Sequence, residues 1–403
     1  MIAGGLALAV ALVLMLFLVR PAMRTNATWR AVATPLASII GSGFLVSVPI
    51  LRDLVGAWAV LAMTGLLVLA YLIGAAVRWN IAHVEPLLPH PQGARAMLSL
   101  ERLSHVVLAF AYFVSVAYYL VLFGNFLLRP LGLDDAVNVN IVVSVFLAIL
   151  GFVGLWRGFA AVERVEVLTV SFKLAVIGGL VAGLIVFDLS ILGDGAALAA
   201  IPAGHFERSS LPQLLGLLIM VQGFETSRFL GASYPAALRI RTMKIAQLVA
   251  AAIYLVFFIL VMPLMGTGGI DDGVAAIVDM LAPVSLVLPL MVLAGALASQ
   301  SSAALADAIG AGGLLHDITG GRVNLRHTYP LIALVAALIT WETDVFSLIA
   351  LASRCFALYY ALQCIVAAWS AARRGRGLRA AGFTILACVC AAVVLLGTPA
   401  EIG

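Results

Sequence analysis

The feature that most limits the fold is a series of long apolar runs that recurs from one end of the chain to the other. A helix rises about 1.5 Å per residue, so a run of about 20 residues crosses a hydrocarbon core of about 30 Å. Inside lipid every backbone N–H and C=O has to be satisfied within the protein. Only helices or a closed barrel do that. The runs are continuous rather than alternating, which excludes a barrel. Composition agrees: 64% of the 403 residues are hydrophobic and 10% are charged. Soluble domains are about half apolar and about a quarter charged. The expected fold class is therefore an all-α polytopic membrane protein with about 12 spans.

Hydropathy places an extra N-terminal helix at 2–19. Ten core helices follow at 28–51, 56–78, 101–128, 137–156, 164–187, 211–230, 243–265, 280–314, 327–341 and 344–370. A short amphipathic piece is expected after the sixth, to position 240. A last helix covers 378–396. No Pro-, Gly- or Ser-rich linker divides the chain, so residues 1–403 form one transmembrane domain. Within it, 28–187 and 211–370 are two five-helix blocks. The segment 1–19 lacks a basic leader and a small-x-small cleavage site and is expected to stay as a helix.

Charge asymmetry sets the topology, because cytoplasmic loops gather Lys and Arg. With the Arg20–Arg24–Arg30 loop inside, alternate loops carry 17 of the 23 basic residues. The other side holds Arg52, Arg129 and Arg208 and most of the loop acids. Both termini then face away from the cytoplasm, in what we expect to be a bacterial inner membrane. Lys173, Arg228 and Arg354 remain at membrane depth, where charge is costly unless paired or wet. Cys355, Cys364, Cys388 and Cys390 fall in late apolar segments and read as small core residues, with no disulfide or metal expected.

Two spans are interrupted by glycine and polar residues. The first is the stretch from Ser38 to Pro49, containing Ile40, Gly41, Ser42 and Gly43. The second runs from Val221 to Phe229, containing Gly223, Phe224, Glu225, Thr226 and Ser227. Each lies in the opening helix of its block. Paired interruptions at matching positions point to a binding site near the bilayer midplane. Freed N–H groups there hold carboxylates and freed carbonyls hold cations.

These residues resemble the amino acid–polyamine–organocation (APC) superfamily. Ile39-Ile40-Gly41-Ser42-Gly43-Phe44 is similar to its first-helix Gly-Ser-Gly signature. Gly223-Phe224-Glu225 is similar to its sixth-helix motif. Arg157-Gly158 through Lys173-Leu174 resembles its run into helix five. Where the family usually has acids and Asn-Pro after helix six, this chain has Gly231-Ala232-Ser233-Tyr234-Pro235. The resemblance implies the leucine-transporter-type five-plus-five inverted repeat, with discontinuous helices one and six. The extra N-terminal and C-terminal helices are additions to that plan.

Ile40, Gly41, Ser42, Gly43, Gly223, Phe224, Glu225, Thr226 and Ser227 are the expected substrate-binding residues. Tyr119 joins them, sharing a helix-three face with Tyr112 and Ser115. Small residues also serve close helix packing, which is the competing explanation for the glycines. Glu225 is a candidate to carry a coupling proton or to meet a substrate ammonium. The structural alternative is an ion pair with Arg228. Lys173 is a second proton-coupling candidate. The resemblance implies it, because some proton-coupled members place a helix-five lysine where sodium-coupled relatives bind an ion. The alternative is a lysine that snorkels to the interface. Ser299, Gln300, Ser301 and Ser302 interrupt helix eight. Ser301 and Ser302 are similar to the hydroxyl ligands of a sodium site, or they bond silently within their own helix. Asp307, His316 and Asp317 read as a solvated helix end. Arg354 is left between an acid partner and an outer gate.

No phosphate loop, metal cluster or nucleophile–base pair appears, so an enzyme or an ATP-driven pump is not expected. Dispersed basic residues argue against nucleic acid. The expected partners are a small-molecule substrate and the bilayer. No cofactor is expected beyond a coupling ion, with H+ favoured over Na+. The leading expectation is a proton-coupled carrier of an amino acid or a related small amine or carboxylate. The alternatives are a sodium-coupled symporter, a non-transporting sensor or subunit, and a channel.

Overall fold

The computed structural model describes residues 2–88, 95–157, 163–192, 203–266 and 273–400; the side chains of Ser42, Arg157, residues 163–167 and Ala232 are outside the described set. Within it every regular element is helical. After the extra helix α1 (Ile2–Leu18) and the short α2 (Pro21–Arg24), the first block contains α3 (Ala27–Gly43), α4 (Ser47–Val55) and α5 (Ala59–His83). It continues through α6 (Arg95–Leu128), α7 (Ala136–Arg157) and α8 (Glu163–Leu192). The second holds α9 (Ser210–Leu215), two 3₁₀ segments, α10 (Ala236–Val261), α11 (Ile277–Met280) and α12 (Val287–Ile318). It ends with α13 (Leu325–Glu342), α14 (Val345–Arg373) and α15 (Gly377–Leu396).

Among the described residues, eight segments are long and apolar enough to cross a membrane on their own. The 17-residue α1, the α3 half of helix one, the broken helix six and the 18-residue α13 supply the rest of the expected dozen. Several starts are written in the local sequence. Asn26 accepts from Trp29 N, and Asp344 accepts from Phe346 N and Ser347 N. Each satisfies helix-start donors that would otherwise be orphaned.

Several boundaries shift. Helix three begins at Arg95 rather than 101, which carries Glu101 well inside it. Helix seven begins at Ala236, so the amphipathic piece is its first turns. Helix eight starts at Val287 after the short α11 and runs on to Ile318.

The helices sort into two packed groups. One joins α3, α5, α10 and helix six; the other joins α6, α7, α12 and α13. α8 lies against α3 and α12, and α14 packs on α6 and α15. The extra helix α1 lies along α8. A methyl added at Gly179 would meet the Ala7 carbonyl oxygen at 2.5 Å. Glycine here lets two backbones approach, which is what drives helix association in lipid.

Candidate functional site

Helix one carries Pro35 inside α3, where the missing N–H weakens the helical ladder. α3 ends at Gly43, and α4 resumes at Ser47. The intervening turn keeps right-handed angles at Phe44 (φ −51°, ψ −52°) and Val46 (φ −76°, ψ −29°). The interruption is thus a three-residue offset, narrower than the Ser38–Pro49 stretch suggested. Ser47 Oγ donates to Phe44 O at 2.9 Å and satisfies a carbonyl that the offset releases.

Helix six breaks fully. After the 3₁₀ turn Leu218–Val221, Gln222 is extended (φ −80°, ψ 176°) and Gly223 has φ +111°. A second 3₁₀ segment, Phe224–Ala232, follows. A side chain at position 223 would be strained, and its Cβ would lie 2.6 Å from Ser38 Cβ. A Cβ at Gly43 would lie 2.7 Å from Met220 Cα. The two interruptions therefore touch, each through a glycine. Tyr254 of α10 ties them: its hydroxyl lies 2.6 Å from Met220 O and 3.1 Å from Ile39 O.

Glu225 is buried beside this contact. Its Oε2 accepts from Gly223 N at 2.9 Å and from Tyr360 Oη at 2.7 Å, whereas Oε1 is buried without a hydrogen-bond partner. Phe224 stacks on Tyr360, with ring centroids 5.0 Å apart. Thr226 Oγ1 donates to Gly223 O at 2.7 Å, and Ser227 Oγ is buried with no partner. Tyr119 is buried and accepts from Gln222 Nε2 at 2.8 Å. Ile40, Gly41 and Gly43 are buried on helix one, while the Ser42 side chain is outside the described residues.

The alternative of a Glu225–Arg228 ion pair is not what forms. Arg228 Nη2 lies 2.5 Å from Glu101 Oε1 of α6, and Nη1 donates to Gln363 Oε1 of α14. Gln363 Nε2 donates to Glu101 Oε2 at 3.2 Å and to Ser104 Oγ at 2.8 Å. Asn80 of α5 donates to the Gln363 side chain at 2.9 Å. Arg239 then donates to Arg228 O at 2.8 Å and pairs with Glu85 at 2.5 Å. Glu225 Oε2 is engaged by Gly223 N and Tyr360 Oη, and the acid that meets Arg228 comes from helix three.

Lys173 is 4% exposed. A methyl at Gly41 would sit 3.4 Å from its Nζ and 3.5 Å from Ser299 Oγ of α12. Helix five, helix one and helix eight thus converge on one ammonium. Ser301 Oγ donates to Leu297 O at 2.7 Å and Ser302 Oγ to Ser299 O at 3.0 Å, both within their own helix. Arg354 donates through Nε to Val394 O at 2.7 Å and so ties α14 to α15.

Asp307 requires correction. It is 4% exposed rather than solvated, and Ser115 Oγ donates to its Oδ2. His316 and Asp317 do lie toward the surface. Glu101, Asn80, Gln363, Tyr254 and Tyr360 are further members of the site that no motif in the sequence marks. Each is a polar group within an apolar span, which is the signal by which they can be found.

A family model described as APC superfamily transporter matches residues 21–397. An uncharacterized protein of Aquifex aeolicus is 36% identical over 393 residues, covering 96% of this chain and 95% of its own length. Among solved structures, the manganese transporter of Eremococcus coleocola is similar, with a TM-score of 0.56 at 14% identity, covering 91% of this chain and 87% of that one. A Na+-coupled sialic acid symporter gives a TM-score of 0.52 at 12% identity, covering 99% and 97%. At these identities the structural likeness shows the fold, which is that of the leucine-transporter-type carriers.

Proposed function

The chain belongs to the APC superfamily of transporters, and from that premise we propose that it is a proton-coupled secondary transporter of an amino acid or a related small amine or carboxylate. Substrate binds between Ile40–Gly43 of helix one and Gly223–Ser227 of helix six, beside Tyr119. The two helix groups rock around that fixed point.

The observation that carries the coupling ion is the place of Lys173. A methyl placed at Gly41 would lie 3.4 Å from its Nζ and 3.5 Å from the Ser299 hydroxyl, so the three helices meet there. A charged ammonium there fills a cation's place, and a neutral amine vacates it. Glu225 is the second candidate carrier of the proton, having one buried oxygen without a hydrogen-bond partner.

The test is uptake of tritiated amino acids into proteoliposomes. An imposed pH gradient is expected to drive it, and Lys173→Ala is expected to abolish the drive. Uptake that requires sodium and ignores pH would overturn this reading. It would favour the second one, a sodium site that includes Ser301 and Ser302, as the likeness to a Na+-coupled symporter suggests. Placement in a bacterial inner membrane with both termini outside rests on the 17 basic residues of one loop set. Labelling of single cysteines at either end in intact cells checks it.

A further inference from the structure

Asp307 and Glu225 are two buried carboxylates that share one lining. From Asp307 the contacts run through Ser115 to α6, whose Tyr112 ring lies 3.0 Å from a methyl placed at Gly310. Tyr112 is 5.9 Å from Phe356, and Phe356 is 6.3 Å from Tyr360, centroid to centroid. Tyr360 donates to Glu225. Both carboxylates are among the electrostatic neighbours of Tyr112, and Glu225 is one of those of Asp307.

Among the described residues neither acid has a basic partner. Ser115 of α6 contacts Asp307, and the titratable groups within its electrostatic reach are Tyr112 and Tyr119 from α6 and Glu225 from helix six. The Lys173 ammonium of α8 lies by Ser299, two turns earlier on α12. Packed against the same helix from α13 are Thr328 and Tyr329, near Gly312 and both uncharged. Arg228, the basic residue closest in sequence to Glu225, is held by Glu101. Each carboxylate is buried without a cation beside it, and a bound proton or cation offsets the cost of that burial. Glu225 Oε1, wholly buried and without a hydrogen-bond partner, marks the pair as waiting for one.

We propose that Asp307 is a second proton-binding group of the central site, acting with Glu225. The inference deepens the proton-coupled reading above and rests on it. Asp307 stands on α12, in one helix group, and Glu225 on helix six, in the other. Closure dries both. When the groups part, water reaches the pair and either donates or accepts the proton. Protonation forms an O–H bond on the carboxylate and breaks one on hydronium. Release on the opposite side reverses that exchange.

The proton itself is the probe. Acid-minus-alkaline infrared difference spectra of the purified, substrate-free protein are expected to show protonated-carboxyl absorption. Asp307→Asn is expected to remove one component and Glu225→Gln another. Ser115→Ala is expected to shift the Asp307 component in frequency without removing it. A spectrum unchanged in Asp307→Asn, with the variant folded by thermal melt, overturns the proposal. Pyranine-loaded proteoliposomes given a mixture of the proteinogenic amino acids separate the two levels. No proton movement in wild-type vesicles counts against proton coupling as such. Wild-type movement that persists undiminished in Asp307→Asn counts against Asp307 alone.

Discussion

Glu225 and Arg228 are three residues apart on one short stretch of broken helix, yet the molecule treats their charges in opposite ways. Arg228 meets Glu101 at 2.5 Å and is held further by Gln363. Glu225 has hydrogen-bond donors on one oxygen and nothing on the other. Burying an ion is costly, and a partner offsets that cost only with good geometry. Arg228 has a carboxylate and an amide beside its charge, and their cluster ties α5, α6, α14 and helix six in one arrangement. The Glu225–Asp307 region holds two buried carboxylates with no basic partner among the described residues, which is what the proposed change of charge requires.

The contrast can be broken by removing one group at a time. The largest effect is expected for Glu101→Ala, which strands the Arg228 guanidinium in a dry setting. A loss of about 3–5 kcal/mol is expected from such one-sided removal, read by reversible unfolding in mixed micelles. Replacing both partners, as in Glu101→Leu with Arg228→Met, is expected to recover most of it. Equal losses in the single and double variants would show that the pair is not the source of the stability.

Next comes Gly223→Ala, which forces a side chain into a left-handed position and against Ser38. Backbone strain and overpacking together predict about 2–4 kcal/mol, with binding lost alongside. Tyr254→Phe removes the hydroxyl shared by Met220 O and Ile39 O. About 1–2 kcal/mol is expected, with the contact between the interruptions loosened and crosslinking of Ser38→Cys to Gly223→Cys slowed. The smallest effect on stability is expected for Glu225→Gln. It removes an uncompensated carboxylate, so stability should stay within about 1 kcal/mol of wild type, while pH-driven uptake is lost. A large destabilisation there would make Glu225 a structural residue and erase the contrast.

Much of this was legible beforehand. Continuous apolar runs fix the helices, and glycines beside polar residues mark both interruptions and their neighbourhood. What local patterns could not supply were long-range partners. Asp307 reads with His316 and Asp317 as a solvated helix end; its burial depends on Ser115 of α6, a partner that one helix's pattern does not reveal. The expected range 101–128 leaves Glu101 at the helix boundary, whereas α6 begins at Arg95 and carries it inside. Arg228 was matched to Glu225 because spacing reveals neighbours along one helix only. Its partners come from α6 and α14, which no periodicity connects. The depth of the helix-one break was overread, since Gly and Ser are tolerated within a helix when a neighbouring backbone needs the room.

The glycines that seat α1 against α8 have a kinematic consequence. They turn helix five into a double-thickness strut, and a paired strut resists tilting more than a lone rod does. The part that travels during a transport stroke is then the unburdened one. On the proposed stroke, Gly41 would be the side of that contact free to move, and Lys173 the side held by the strut.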